Sequence, residues 1–203
     1  ALGVHHFIYL STININGISS ENLVTELDPA APTDFAAELK LKVELALMDI
    51  SSKTGMKIVI VRCPLVYGAG VKANFLNLLK LSNTGLPLPF GLVNNKRSMI
   101  YVGNLVDFIV KCIDNPVAEN QTFLISDNHD LSLSGLLKLI RNSMNKPIGL
   151  MPVPVFVFKL AGLIFSKQGV VNRLVGDLQV DSSKAMSLLD WNPPYTVEQG
   201  IQT

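Results

Sequence analysis

The chain has 203 residues, 48% of them apolar and 16% charged, with a formal net charge of +1 at neutral pH. That balance belongs to a compact protein with a substantial core and excludes a disordered segment or the strong basic field of a nucleic-acid binder. Its two cysteines, Cys63 and Cys112, sit alone in apolar surroundings, so neither a metal site nor a disulfide framework is expected, and a reducing compartment fits.

The chain opens at Ala1 and soon reaches residues 6–11 (HFIYLS), whose aromatic and β-branched run reads as a buried parallel strand. A domain that opens on a buried strand usually has something before it, so a fragment of a longer protein is expected. Residues 12–32 are polar and turn-rich, hence loop. Phe35, Leu39, Val43, Ala46, Leu47 and Ile50 then recur at three and four residues, which predicts one core-facing side of a helix. Thr33 or Asp34 caps its start and Gly55 closes it. Residues 57–62 (KIVIVR) form a second buried strand. Strand, long helix and strand predict parallel neighbours joined by a right-handed crossover.

A loop with Gly68 and Gly70 leads to a helix over about residues 72–83. Residues 86–91 (LPLPFG) are Pro-rich and extended. A helix follows over 104–114 and a third strand over 121–126. The remainder reads as helices over 132–144, 155–165, 170–174 and 182–189. The apolar stretch 148–165 is interrupted by Pro152, Pro154 and Lys159 and is too short to span a membrane. It predicts a helix packed on the core; the alternative is a greasy surface that docks a membrane or a lipid-linked substrate.

Three strands interleaved with helices predict an α/β fold with a parallel sheet, and the helix-rich tail predicts a second, smaller lobe. The expected division is 1–68 with 99–126 for the sheet domain and 69–98 with 127–203 for the lobe. Ligands of open α/β sheets bind at the carboxyl ends of the strands. The chemistry is therefore expected in the segments after Ser11, Arg62 and Ser126.

Four of the chain's segments carry a resemblance, in order. They are Tyr9-Leu10-Ser11-Thr12-Ile13-Asn14-Ile15-Asn16-Gly17; Arg62-Cys63-Pro64-Leu65-Val66-Tyr67-Gly68-Ala69-Gly70; Arg97-Ser98-Met99-Ile100-Tyr101-Val102-Gly103-Asn104-Leu105-Val106-Asp107; and Val180-Asp181-Ser182-Ser183-Lys184-Ala185 with Leu189, Trp191 and Pro193. Together they resemble the C-terminal two-thirds of extended short-chain dehydrogenases/reductases of the nucleotide-sugar epimerase/dehydratase kind. Ala69 stands where that family usually has proline.

The resemblance implies the C-terminal part of a Rossmann domain, a doubly wound parallel sheet, plus a smaller helix-rich substrate lobe. It implies NAD or NADP as cofactor and a nucleotide-diphosphate sugar, a UDP-sugar, as substrate. The chemistry it implies is hydride transfer at a sugar carbon: 4-epimerisation, or as alternatives 4-keto-sugar reduction or dehydration. It also implies a cytoplasmic enzyme of polysaccharide supply and a homodimer built on the helix over 35–50. By this resemblance Thr12 orients the sugar hydroxyl, and Lys40, followed by Leu41 and Glu44, holds the ribose and lowers the pKa of a catalytic tyrosine. Pro64 and Val66 lie beside the nicotinamide. Asn74 and Arg97 meet the sugar or diphosphate, which a guanidinium grips bidentately. Leu88 and Phe90 line a uridine pocket.

Plainer roles exist for each. Thr12 can serve backbone groups at a loop start, Lys40 can pair with Glu44 at i+4, and Tyr101 and Asp107 can pack and cap a helix. His5, His6 and His129 lack triad or metal spacing and are read as structural.

Two departures stand out. Four residues before Lys40, where a Tyr-x-x-x-Lys pair needs its phenol, the chain has Ala36. Phe35 has no hydroxyl and lies about 100° round the helix. No Gly-x-Gly-x-x-Gly or Gly-x-x-Gly-x-x-Gly run occurs either, so the pyrophosphate cradle of a dinucleotide site is not in these residues. A catalytically inactive sugar-nucleotide-binding protein is thus a second reading beside the enzyme.

Overall fold

The computed structural model describes residues 3–71 and 73–203, the side chains of Ala73 and Asn74 excepted. In chain order its elements are β1 (His6–Thr12), α1 (Phe35–Thr54), β2 (Lys57–Cys63), β3 (Leu65–Tyr67), α2 (Ala73–Asn83), β4 (Met99–Tyr101), α3 (Val102–Ile113), β5 (Thr122–Leu124), α4 (Leu133–Ser143), α5 (Val155–Ile164), α6 (Gln168–Val175), α7 (Ser183–Leu189) and α8 (Val197–Gln202). Short 3₁₀ turns fill Ile13–Asn16 and Pro116–Ala118.

β1, β2 and β5 form one parallel sheet in that spatial order. β1 and β2 are in register from His6 opposite Lys57 to Thr12 opposite Cys63, so both strands end at the same level. The helix between them forms where expected. The Asp34 carboxylate accepts the Ala37 amide at 2.8 Å, and Gly55 stops the helix in the left-handed conformation at φ 73°. A second, two-stranded parallel sheet pairs β3 with β4.

The core on the sheet gathers Val59, Val61, Phe108, Phe123 and Ile125 with Ala185, Leu189 and Trp191 from the C-terminal segment. Asp107 accepts the Trp191 indole N–H at 2.7 Å, and Tyr101 precedes α3 without a side-chain cap. Asp107 thus anchors the tryptophan rather than capping the helix. Beside this core, a buried Asp127 gathers the Tyr67 hydroxyl (2.6 Å), the Asn104 amide group (2.7 Å) and the Tyr101 backbone N–H (3.0 Å). Burial raises the Asp127 carboxyl pKa and also that of the Tyr67 phenol. Gly68, at φ 123°, lies so close to Tyr101 that a Cβ would meet its ring at 2.7 Å.

Three packing expectations are corrected. β1 forms as a strand but is not buried: it is an edge strand with Phe7 and Leu10 exposed. Of the predicted core face of α1, Phe35, Leu39, Val43 and Ile50 are exposed, and the helix buries Ala37 and Glu44 instead. The inward contact is polar because Arg62 on β2 draws Glu44 under the helix. α5 is likewise not sunk into the core, since Gly162 is its buried residue and Phe156, Leu160, Leu163 and Ile164 face outward. Among the described residues no helix is long and apolar enough to cross a membrane.

Candidate functional site

The strand register brings the sequence-predicted residues to one edge. Thr12 ends β1 opposite Cys63, so the Pro64–Val66 segment emerges beside it. From there the chain lines a cavity of about 540 Å³ with Thr12, Asn14, Pro64 and Val66 on one side. Asn77 of α2, Arg97, Ser132 and the α6 residues Val170, Arg173 and Leu174 complete the wall. The three strand-end segments expected to carry chemistry therefore meet, with residues 131–136 representing the third.

Thr12 is half-buried, and its hydroxyl accepts the Asn14 amide at 3.3 Å. It caps a 3₁₀ turn while lining the cavity. Lys40 does not pair with Glu44. Its Nζ donates to the Leu10 carbonyl at 2.8 Å and lies 5.2 Å from the centre of the Tyr9 ring. Glu44 is taken by Arg62, whose Nη2 is 2.7 Å from Oε2 and whose Nη1 donates to Asn16 Oδ1 at 3.0 Å. That buried guanidinium joins α1, β2 and the turn after Thr12.

Tyr9 is the phenol nearest to hand for Lys40, but it does not replace the missing one. Burial and then the Glu44 carboxylate raise its pKa, the opposite of what a proton-abstracting phenolate requires. Ala36 itself is exposed on the first turn of α1, one turn before Lys40.

Arg97 is half-buried, and its hydrogen bonds to the carbonyls of Gly176 (3.0 Å) and Ile18 (3.5 Å) all run through Nη1. Burial lowers its pKa first, the Asp177 carboxylate works against that, and the nearby Arg173 cation adds to the lowering. Arg173, which the sequence reading passed over, reaches from α6 to the Asp34 carboxylate at the start of α1. Two guanidiniums on one cavity wall suit a diphosphate. The signal for Arg173 was present only as a basic residue on a short helix, and nothing in its spacing ties it to Arg97.

Leu88 and Phe90 do not line this cavity. Leu88 is 5% exposed in an apolar cluster with Val93, Leu133 and Leu137, and Phe90 stacks on Phe158 of α5 at 5.5 Å. The side chain of Asn74 lies outside the described residues. Among those residues no group of His, Cys, Asp and Glu could hold a metal ion.

Residues 1–126 match the NAD dependent epimerase/dehydratase family. The chain belongs to that family. Within it, the chain is 43% identical over 204 residues to a UDP-glucose 4-epimerase of Vibrio cholerae, covering 98% of this chain and 62% of that protein. It is 29% identical over 213 residues to the N-acetyl-alpha-D-glucosaminyl-diphospho-ditrans,octacis-undecaprenol 4-epimerase of Escherichia coli O157:H7, covering 98% and 64%. The fold is shared with the UDP-glucuronic acid 4-epimerase of Bacillus cereus, whose structure holds NAD, at a TM-score of 0.77, 19% identity and coverage of 97% and 59%. The chain thus spans a little under two-thirds of the length of these relatives, and the α/β fold with its parallel sheet is that of Rossmann-type epimerases.

Against the family's cofactor, the residues present fit one end. Thr12, Pro64 and Val66 line the cavity at the strand ends and Lys40 is held nearby on the Leu10 carbonyl, while no glycine-rich turn supplies a pyrophosphate cradle. The 203-residue chain alone is therefore expected to bind NAD(H) weakly or not at all. Calorimetric titration checks this, and a tight isotherm would refute it.

Proposed function

We propose that the chain is the substrate-binding part of a nucleotide-sugar 4-epimerase acting on a UDP-sugar. What carries the reading is the meeting of Thr12, Pro64, Val66, Arg97 and Arg173 on one cavity at the strand ends. In this reading 1–68 with 99–126 is the cofactor-side part, and 69–98 with 127–203 is the substrate lobe. A bound NAD or NADP would supply hydride acceptance and return at the sugar carbon, and the accompanying hydroxyl proton would need an acid/base group that Ala36 does not provide. Thr12 orients the sugar hydroxyl, and Lys40 fixes the ribose from its post on the Leu10 carbonyl. Arg97 and Arg173 neutralise the diphosphate. Asn74 is assigned a sugar or diphosphate contact. A cytoplasmic setting, a role in polysaccharide supply and a homodimer through the exposed face of α1 belong to the same proposal.

The test is Arg97→Ala in calorimetric titrations with UDP-glucose. Loss of charge-assisted hydrogen bonds is expected to weaken binding by roughly 10- to 100-fold. Arg97→Lys should recover only part, because a point charge does not reproduce the fork. Unchanged affinity in both variants would remove Arg97 from the substrate site.

Two observations favour other readings. Ala36 favours a sugar-nucleotide-binding protein without turnover. The name of the E. coli relative, which carries an undecaprenol, favours a lipid-linked diphosphosugar as substrate. A 4-keto-sugar reductase or dehydratase would use the same Thr12 and Lys40, and product analysis separates these from epimerisation.

A further inference from the structure

The stretch 131–176 has an unusual charge pattern. It contains Lys138, Arg141, Lys146, Lys159, Lys167 and Arg173 but no aspartate or glutamate. Arg141 is buried against the carbonyls of Leu86 (2.6 Å) and Ile148 (2.8 Å), and Arg173 is tied to Asp34. Lys138, Lys159 and Lys167 are exposed, and none of them is in an ion pair among the described residues.

α5 lies in the middle of this stretch. Phe156, Leu160, Leu163 and Ile164 fall at i, i+4, i+7 and i+8, one face of the helix. They are 67%, 53%, 61% and 67% exposed, and Phe165 just beyond is 72% exposed. Lys159 sits on the same side, three residues after Phe156. The other side fixes the helix in place: Phe158 stacks on Phe90, and Gly162 packs against Val171 of α6 so closely that a Cβ would meet its Cγ2 at 2.8 Å. The apolar ridge is therefore held outward by an anchored helix.

We propose that this α5 ridge, with its flanking lysines, docks peripherally on an anionic lipid bilayer. Exposed aromatic and aliphatic side chains in a field of lysines enter the boundary between headgroups and acyl chains, while the ammonium groups meet lipid phosphates. A second copy fits less well. A two-fold contact would set this lysine-bearing stretch against its own copy with no carboxylate in the stretch to answer the ammonium groups. Docking also brings α6, which carries Val170, Arg173 and Leu174 on the cavity wall, close to the headgroups.

The experiment is co-sedimentation of the intact chain with vesicles containing phosphatidylglycerol and with vesicles of phosphatidylcholine alone. The chain should pellet with the anionic vesicles and stay largely in the supernatant with the neutral ones. The double variant Leu160→Ser, Ile164→Ser should lower the partition at least tenfold, and Lys159→Glu, Lys167→Glu should abolish the preference for anionic vesicles. Circular-dichroism melting checks that the variants fold. Their UDP-glucose titrations should match the parent, since none of the four residues lines the cavity, so a failure of docking is separable from a failure of the substrate reading. Three results would overturn the proposal: no pelleting with either vesicle, equal pelleting of parent and serine variant, or a dimer by size exclusion that the serine variant splits.

Discussion

Ala36→Tyr should raise epimerase turnover by about 10²- to 10⁴-fold, the usual contribution of a positioned acid/base group. The assay is interconversion of UDP-glucose and UDP-galactose by a form of the protein that carries a dinucleotide-binding half. The argument rests on α1. Position 36 is one turn before Lys40 on the same helix, so the two side chains share a face. Ala36 is exposed, so the new ring displaces nothing from the core. Lys40 is already held at the end of β1 by the Leu10 carbonyl, and an ammonium near a phenol favours the phenolate. The restored activity should therefore rise with pH through a titration below the ordinary phenol value of about 10. Tyr9 does not supply this function, since burial and Glu44 push its pKa upward. No gain in the variant would sink the enzyme reading and leave a sugar-nucleotide-binding role.

The elements that were legible in the sequence are those whose patterns are local. Residues 6–11 announced their strand by an aromatic and aliphatic run and 57–62 by a β-branched one, and Asp34 and Gly55 marked both ends of α1. β3 and β4 were not seen, because each is a three-residue strand inside a turn-bounded segment, whereas the equally short β5 sits in the longer apolar run 121–126. The face of α1 was misjudged for a different reason. Periodicity reports which residues are apolar, but the partner here is a buried Arg62 that draws in Glu44. Thr12, Pro64 and Val66 could be placed together because parallel strands that start together end together. Arg173 could not, since only the tertiary fold brings α6 to the cavity wall it shares with Arg97.

Arg62→Ala should cost about 3–5 kcal/mol of stability, the penalty for leaving one member of a buried ion pair alone. In thermal unfolding this is a fall of roughly 10 °C for a chain of this size. Glu44 is 1% exposed and Arg62 10%, and the guanidinium meets both carboxylate oxygens at 2.7–3.3 Å. Removing Arg62 strands a carboxylate beneath α1 and also frees Asn16 in the turn that follows Thr12. The double variant Glu44→Leu, Arg62→Met should recover most of the loss, because an apolar pair of similar volume needs no charge compensation. It should not recover substrate handling to the same degree. The guanidinium joins the helix carrying Lys40, the strand leading to Pro64 and the turn below Thr12, and an apolar pair has no hydrogen bond to offer Asn16. A double variant as unstable as Arg62→Ala would mean that shape, and not the stranded charge, sets the cost. Full stability with undiminished binding of UDP-glucose would mean that the ion pair has no part in aligning the site.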